Sequence, residues 1–179
     1  MEFLVLLLLI LVNGIFAMSE IAVVSSRKAR LQQWADEGKS GAGVALELAT
    51  EPGHFLAAIQ VGITLVVILS GAFGEATIAG SLAGHVARVP VLAPYAATIA
   101  LAIVVSAITI LSVILGELVP KRIALRNPEG IAVTVARPMR LLSKVAYPLV
   151  RFLSIMTESV LNAGLAVLSF ASAAGTRGL

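Results

Sequence analysis

Glu117 is a lone acidic residue at the end of a long apolar stretch. Residues 91–116 before it contain no charged side chain, and Pro120 and Lys121 follow it closely. A carboxylate at membrane depth is costly and is by default a candidate functional residue. Pro120 lacks a backbone N–H, so we expect it to bend or end the helix. Together these residues predict a small polar pocket inside a membrane protein.

Small and polar residues punctuate all three long apolar stretches, at Asn13-Gly14, Ser70-Gly71 and Gly116-Glu117. We expect the helices to be broken there, because unwound turns at membrane depth free carbonyl oxygens that line a cavity. Hydroxyls, carbonyls and one carboxylate are hard oxygen ligands, which favour Mg²⁺, Ca²⁺ or Na⁺ over zinc or copper. The alternative role is packing, since serine and glycine also let membrane helices approach closely.

The composition excludes several classes of protein. Of the 179 residues 59% are apolar and 13% are charged, with a mean hydropathy of +1.00; soluble chains average about 25% charged residues. The chain has no cysteine, which excludes disulfides and thiolate ligands. His54 and His85 are too far apart to form a helical zinc pair. No nucleophile, histidine and acid occur at useful spacing, so an enzyme is not expected.

Three stretches are long enough to cross a bilayer: roughly 2–24, 55–74 and 91–118. A cleaved signal peptide is disfavoured for the first, because Glu2 stands where a basic region would be. Basic residues follow the first and third stretches, whereas the 76–94 connection has only Arg88. By the positive-inside rule the N-terminus lies outside and the C-terminus is cytoplasmic, as expected for a multi-pass protein of the cell's inner (plasma) membrane.

Two further segments are predicted to lie beside the membrane. Residues 27–55 are interrupted by glycines and predict a helical hairpin. Residues 130–165 place basic side chains on one side of a helix, which is typical of an interfacial amphipathic helix. The basic residues are Arg137, Arg140, Lys144 and Arg151. Pro138 and Pro148 are expected to break this helix into pieces, and a fourth membrane span is the alternative.

The predicted fold is therefore an all-α membrane protein. It has three transmembrane helices with broken segments and a cytoplasmic juxtamembrane amphipathic helix belt. One transport domain is expected over residues 1–170, followed by a flexible tail over 171–179.

Two motifs resemble one known family. NGIFAMSEIAVVSSRKARL (13–31) and GELVPKRIALRNPE (116–129) are similar to the signatures of the CorC/CNNM magnesium transporters. The resemblance implies a homodimer in the lipid bilayer that exports Mg²⁺, coupled to Na⁺ influx, with no nucleic-acid partner. Cytosolic CBS domains that bind ATP follow in full-length family members, and none is expected within these residues.

The resemblance also implies a site for one dehydrated Mg²⁺ per subunit. The implied ligands are hydroxyl, carbonyl and carboxylate oxygens of Ser19, Ser25, Ser70, Gly71, Gly116 and Glu117. Ser26 remains an alternative to Ser25, because on an ideal helix it lies nearly below Ser19. Asn13 is a weaker candidate for a metal ligand than these residues. Glu20 points away from Ser19 and is expected to pair with Lys121 or Arg27.

An alternative function from another class remains open. The chain could be a membrane anchor and dimerisation module for a cytosolic regulatory domain, with no transport of its own. Its serine and glycine residues would then be helix-packing residues.

Overall fold

The structure is a computed structural model that describes residues 2–175, with side chains described as far as residue 162. Every regular element in the described part is a helix, which confirms the all-α prediction. The α-helices are α1 Glu2–Ser25, α2 Lys28–Asp36, α3 Ala42–Thr50, α4 Gly53–Gly74, α5 Gly80–Val86, α6 Ala96–Val113, α7 Val119–Arg126 and α8 Pro128–Gly175.

Three helical stretches are long and apolar enough to cross a membrane. The first is α1, the second runs over Gly53–Val86, and the third runs over Ala93–Arg126. A π-helical turn, Glu75–Ala79, joins α4 to α5 in the second. Another, Ile114–Leu118, joins α6 to α7 in the third. The predicted end of the second span at residue 74 was too early, because Glu75 lies in a π turn and the helix continues.

The predicted break at Asn13-Gly14 is wrong, because α1 runs unbroken through both residues. Gly14 instead allows a close approach to the third span. A Cβ atom at Gly14 would lie 3.0 Å from Cγ of Pro120 and 3.1 Å from the carbonyl oxygen of Leu115. The packing role of glycine in membrane helices therefore explains this residue.

The predicted break at Ser70-Gly71 is wrong as well. Both residues lie inside α4, and the Ser70 hydroxyl donates to the Val66 carbonyl one turn earlier at 2.8 Å. This bond satisfies the hydroxyl within its own helix, so no unwinding is needed to bury it. A Cβ atom at Gly71 would meet nothing within 4 Å, so this position borders open space.

The hairpin predicted between the first two spans is confirmed as α2 and α3. The chain turns at Gly38 and Gly41, whose φ values of +76° and +86° are left-handed. Trp34 on α2 lies against two cations, with Lys39 Nζ at 3.2 Å and the Arg30 guanidinium carbon at 5.0 Å from its ring centre.

The segment after the third span is one 48-residue helix, α8, and the predicted breaks at Pro138 and Pro148 are wrong. Arg137, Lys144 and Arg151 are exposed, as expected for the polar side of an amphipathic helix. Each proline costs a helical hydrogen bond, and α8 tolerates this cost because its first half packs against α1, α3 and α4. Of the predicted flexible tail, residues 171–175 continue the backbone of α8, and 176–179 lie outside the described residues.

Buried apolar side chains form two clusters of unequal size. The larger cluster joins α2, α3 and α8 to the neighbouring ends of α1, α4 and α7, with Leu31, Phe55 and Ile59 almost fully buried. The smaller cluster lies between the spans and includes Leu6, Ile10 and Val104. The helical hairpin and α8 therefore provide most of the larger cluster, and they hold the three spans together at one end.

Candidate functional site: a cavity between the three spans

A cavity of about 390 Å³ lies between α1, α4 and the third span. Its walls are mainly apolar, and a few polar groups converge on it, as is typical of ligand sites. Four of the lining residues have polar side chains, and a fifth is a glycine. They are Asn13, Thr109, Ser112, Glu117 and Gly71. They come from all three spans, so only the assembled fold creates this site.

Pro120 and Asn13 together determine the structure at one side of the cavity. Pro120 has no N–H to donate to the Gly116 carbonyl four residues earlier, where an α-helix would form a hydrogen bond. The side-chain amide nitrogen of Asn13 instead donates to that carbonyl at 3.2 Å. Pro120 thus leaves the Gly116 carbonyl oxygen without its α-helical donor, and α1 supplies a donor from Asn13.

The other end of the Asn13 amide has no partner. Asn13 is only 5% exposed, and its Oδ1 is a buried oxygen atom without a hydrogen-bond donor among the described residues. A buried oxygen left unsatisfied costs about 1–3 kcal/mol. Since Asn13 lines the cavity, a cation or water bound there would remove this cost.

Glu117 lies in the π turn and lines the same cavity. Its Oε1 accepts a hydrogen bond from Lys121 Nζ at 2.8 Å, one turn further along. Lys121 Nζ also lies 3.8 Å from the Glu20 carboxylate on α1, which confirms the predicted pairing of Glu20 with Lys121. The cavity thus has one carboxylate in its wall and a small charged cluster beside it.

The structure brings together only part of the predicted ligand set. Gly71 and Glu117 line the cavity, and Gly116 adjoins it through the bond from Asn13. Ser19 and Ser70 are buried, but their hydroxyls donate to the carbonyls of Ile15 and Val66 in their own helices. Neither lines the cavity.

The two alternatives for the second hydroxyl on α1 also differ in position. Ser25 is exposed at the end of α1. Ser26 is buried, and its hydroxyl donates to the Val23 carbonyl at 2.8 Å. Neither residue lines the cavity, so for both the role of metal ligand stays a prediction.

Sequence reasoning gave too little weight to Asn13, Thr109 and Ser112. The spacing of Thr109, Ser112 and Gly116 is three and then four residues, which places them on one face of a helix. That face leads directly to Glu117, so this pattern was a readable signal. Asn13 had no such signal, because its role depends on the contact between α1 and Gly116.

Across the described residues, no three His, Cys, Asp or Glu side chains cluster as they would in a multi-carboxylate or zinc site. Any cation in this cavity would therefore be bound by one carboxylate and neutral oxygens. This donor set suits hard cations and leaves little charge to compensate a divalent ion.

A second cavity, of about 400 Å³, lies between α3, α8 and the first turn of α4. Glu47 and Arg140 are opposite charges in its wall, and their side chains pair at 3.4 Å. Both are largely exposed to solvent, so the pair is a surface ion pair of small energetic weight. The cavity between the spans, with its unsatisfied oxygen, is the better candidate site.

An ion pair between the exposed Arg27 and the buried Glu129 connects the start of α2 to α8. Glu129 in the first turn of α8 is buried, and its Oε1 accepts hydrogen bonds from Arg27 Nε at 2.9 Å and from the Arg27 backbone N–H at 3.3 Å. The Arg27 side-chain hydrogen bond is the main cause that holds the pKa of Glu129 below its ordinary value of 4.5. This carboxylate joins α8 to the start of α2, and sequence analysis did not assign it a role.

Glu129→Gln is expected to lower stability at pH 7 by about 1 kcal/mol, since the charged acceptor of the Arg27 hydrogen bonds becomes a neutral amide oxygen and Arg27 is largely exposed to solvent. Because the folded pKa lies below the ordinary value of 4.5, the ion pair stabilises the fold above that pH and is lost as pH falls through the folded pKa. Thermal midpoints from pH 7 to pH 3 should fall more steeply for the wild type than for the variant.

Glu47→Gln is the matched control, because Glu47 pairs with Arg140 on the surface. It should change stability by less than about 0.5 kcal/mol. Equal acid sensitivity of the wild type and Glu129→Gln would contradict the role given to Glu129.

Comparison with known proteins identifies the family. The cyclin M (CNNM) transmembrane N-terminal domain matches residues 4–169, which is nearly the whole chain. The chain belongs to the CNNM transmembrane-domain family. Domains of this family are generally parts of transporters. The family resemblance inferred from the two motifs is confirmed.

Several curated relatives share this CNNM domain. The chain is 50% identical to the UPF0053 protein sll0260 of Synechocystis over 162 residues, which are 90% of this chain and 36% of that protein. It is 34% identical to the polyamine export protein of Escherichia coli K12 over 149 residues, which are 83% of this chain and 33% of that protein. The chain thus spans about a third of the length of these relatives.

Proposed function

We propose that this CNNM domain is the membrane part of a secondary transporter that exports Mg²⁺, with Na⁺ influx as the coupled movement. The observation that carries the proposal is the cavity between the three spans, whose wall holds the Glu117 carboxylate and Asn13, a residue with a buried Oδ1 that lacks a hydrogen-bond donor among the described residues. One negative charge and one orphan oxygen together offer a cation both charge compensation and a ligand. The chain is a multi-pass membrane protein, and not an enzyme in this proposal.

Mg²⁺ fits this cavity best if it keeps part of its hydration shell. Mg²⁺ dehydrates reluctantly and usually keeps several waters. A cavity of about 390 Å³ has room for an ion with bound water, and the protein oxygens in its wall are few. This proposal departs from the dehydrated ion implied by the resemblance, and it needs fewer protein ligands.

A second subunit would complete the cavity. Val67, Val105 and Val113 line it, yet all three are well exposed in a single protomer. In a homodimer a second copy could cover this apolar wall and shield the ion from lipid. The proposed orientation keeps the N-terminus outside and α2, α3 and α8 in the cytoplasm.

A polyamine is the second candidate cargo. Relatives that share this domain are named polyamine export proteins. The cavity has apolar walls and a single carboxylate, Glu117, which would suit the methylene chain and one ammonium group of such a molecule. If the chain is instead a membrane anchor without transport of its own, neither Mg²⁺ nor a polyamine is expected to bind.

Cation-dependent stability separates these three functions. A ligand that binds only the folded state raises stability by RT ln(1 + [L]/Kd), about 2.7 kcal/mol at a hundredfold excess over Kd. The thermal midpoint of the purified protein in detergent would be followed while Mg²⁺, Na⁺ or spermidine is titrated at constant ionic strength. Saturable protection by Mg²⁺ supports the proposal, protection by spermidine alone supports polyamine export, and no protection supports an anchor.

Flux in proteoliposomes then tests the coupling. We expect Mg²⁺ release from the vesicles to accelerate when an opposing Na⁺ gradient is imposed, and to be unaffected by K⁺. If the Mg²⁺ flux does not depend on the Na⁺ gradient, the proposed Na⁺ coupling is wrong, and Mg²⁺ remains the proposed cargo.

A further inference from the structure

Lys121 lies between the cavity carboxylate and a second carboxylate that the cavity does not use. Its Nζ lies 2.8 Å from Glu117 Oε1 and 3.8 Å from Glu20 Oε2. Glu117 belongs to the third span and Glu20 to α1. One side-chain ammonium is thus shared by two carboxylates, and one of them lines the cavity.

The local fold places this ammonium where it can reach both acids. Lys121 follows Glu117 by four residues, which puts the two side chains on one face of the helix. Pro120 next to it is buried against α1, and this contact holds Lys121 close to Glu20. A lysine has a flexible four-carbon stem and a compact charge, so its Nζ can move between the acids while the backbone stays in place.

We propose that Lys121 is a tethered cation that competes with the cargo cation for Glu117. This inference rests on the proposed function, in which Glu117 binds a transported cation. Without cargo, Lys121 neutralises Glu117. When a cation enters the cavity, two positive charges on one carboxylate repel each other, and Lys121 moves to Glu20, which is already within 4 Å.

The charge balance favours this exchange. Glu117, Lys121 and Glu20 sum to one negative charge, so a carboxylate always remains to pair with the ammonium. The return of Lys121 to Glu117 restores the cargo-free arrangement and favours release of the bound ion. Lys121 therefore acts as a positioning residue that weakens equilibrium binding and speeds turnover.

Lys121→Gln removes the competing charge and keeps much of the side-chain length. Mg²⁺ affinity, measured as Mg²⁺-dependent thermal stability of the purified protein, is expected to rise roughly 1.5-fold to fivefold, the range expected for loss of one partly exposed ion pair. Flux in proteoliposomes is expected to fall, because release is slower. Tighter binding with slower flux is an effect that a purely structural lysine would not produce.

Three further variants make the test specific. Arg122→Gln removes the same charge from the next, exposed residue and should leave Mg²⁺ affinity nearly unchanged. Lys121→Arg keeps the competing charge and should bind Mg²⁺ no more tightly than the wild type. Glu20→Gln removes the second partner of Lys121 and should weaken Mg²⁺ binding, whereas Glu20→Gln combined with Lys121→Gln should bind like Lys121→Gln alone.

The outcomes separate this inference from the proposed function. If the wild type shows no saturable Mg²⁺ binding, the Mg²⁺ function is wrong and the inference is overturned with it. If the wild type binds Mg²⁺ and Lys121→Gln binds with unchanged or weaker affinity, only the role of Lys121 is overturned. If Arg122→Gln raises Mg²⁺ affinity as much as Lys121→Gln does, the role of Lys121 is also overturned, because the effect then comes from the general positive charge of this region.

Discussion

Glu117→Gln is expected to abolish saturable Mg²⁺ binding while the protein still folds. Glu117 is the carboxylate in the cavity wall, and the substitution removes its charge without changing its shape. Where a charge pair is buried, loss of one partner costs about 3–5 kcal/mol, a weakening of more than a hundredfold. The Glu117 side chain is 49% exposed in the single protomer, so we expect the loss of binding free energy to lie at the lower end of this range.

Glu75→Gln is the matched control for this experiment. Glu75 is also an acidic residue in a π turn of a membrane-spanning helix, but it does not line the cavity. Its substitution should leave Mg²⁺-dependent protection intact. If Glu117→Gln binds Mg²⁺ like the wild type, Glu117 is not part of the site. The same conclusion follows if Glu75→Gln loses as much Mg²⁺ binding as Glu117→Gln.

Gly41→Ala is expected to give the largest loss of stability among single substitutions in the hairpin. Gly41 has a φ of +86°, where an L-residue is strained by about 1–3 kcal/mol. An added Cβ would also lie 2.6 Å from the carbonyl oxygen of Val133, which is backbone of α8. Because a backbone atom cannot rotate away, α3 and α8 must separate, and their shared apolar cluster would loosen.

Gly38→Ala separates the two causes. Gly38 has a similar φ of +76°, but a Cβ there would meet nothing within 4 Å. The difference between the two variants therefore measures the contact of Gly41 with α8. Thermal unfolding followed through Trp34, the single tryptophan, would report on both. For a chain of this size each 1 kcal/mol shifts the midpoint by about 2–4 °C. Equal shifts for both variants would show that the close contact has no energetic weight.

Sequence was sufficient for the fold class because hydrophobic length and periodicity are local properties. Three apolar stretches of bilayer length, a glycine-punctuated hairpin and an amphipathic helix could all be recognised without tertiary information. The errors came from treating small residues in the spans, and the prolines Pro138 and Pro148 of α8, as helix breakers. Gly14 and Gly71 remain helical inside the spans, since in lipid each backbone group keeps its partner within the helix.

Sequence was less successful with the site. It singled out Glu117 as a candidate, because one charge in an apolar span stands out, and the structure places this residue in the cavity wall. It could not decide between serines, since a hydroxyl in a helix can donate to its own backbone, as Ser19 and Ser70 do. The position of Asn13 follows from a hydrogen bond across 103 residues of sequence, which no local pattern encodes.

The two buried apolar clusters differ in size, so we expect the two ends of the molecule to differ in local stability. The hairpin, α8 and the adjoining helix ends share the larger apolar cluster, whereas the spans around the cavity rest on the smaller one. Regions with few buried apolar contacts open most easily. We therefore expect the end at the hairpin to be the more rigid one, and local opening to be easier among the spans around the proposed cation cavity.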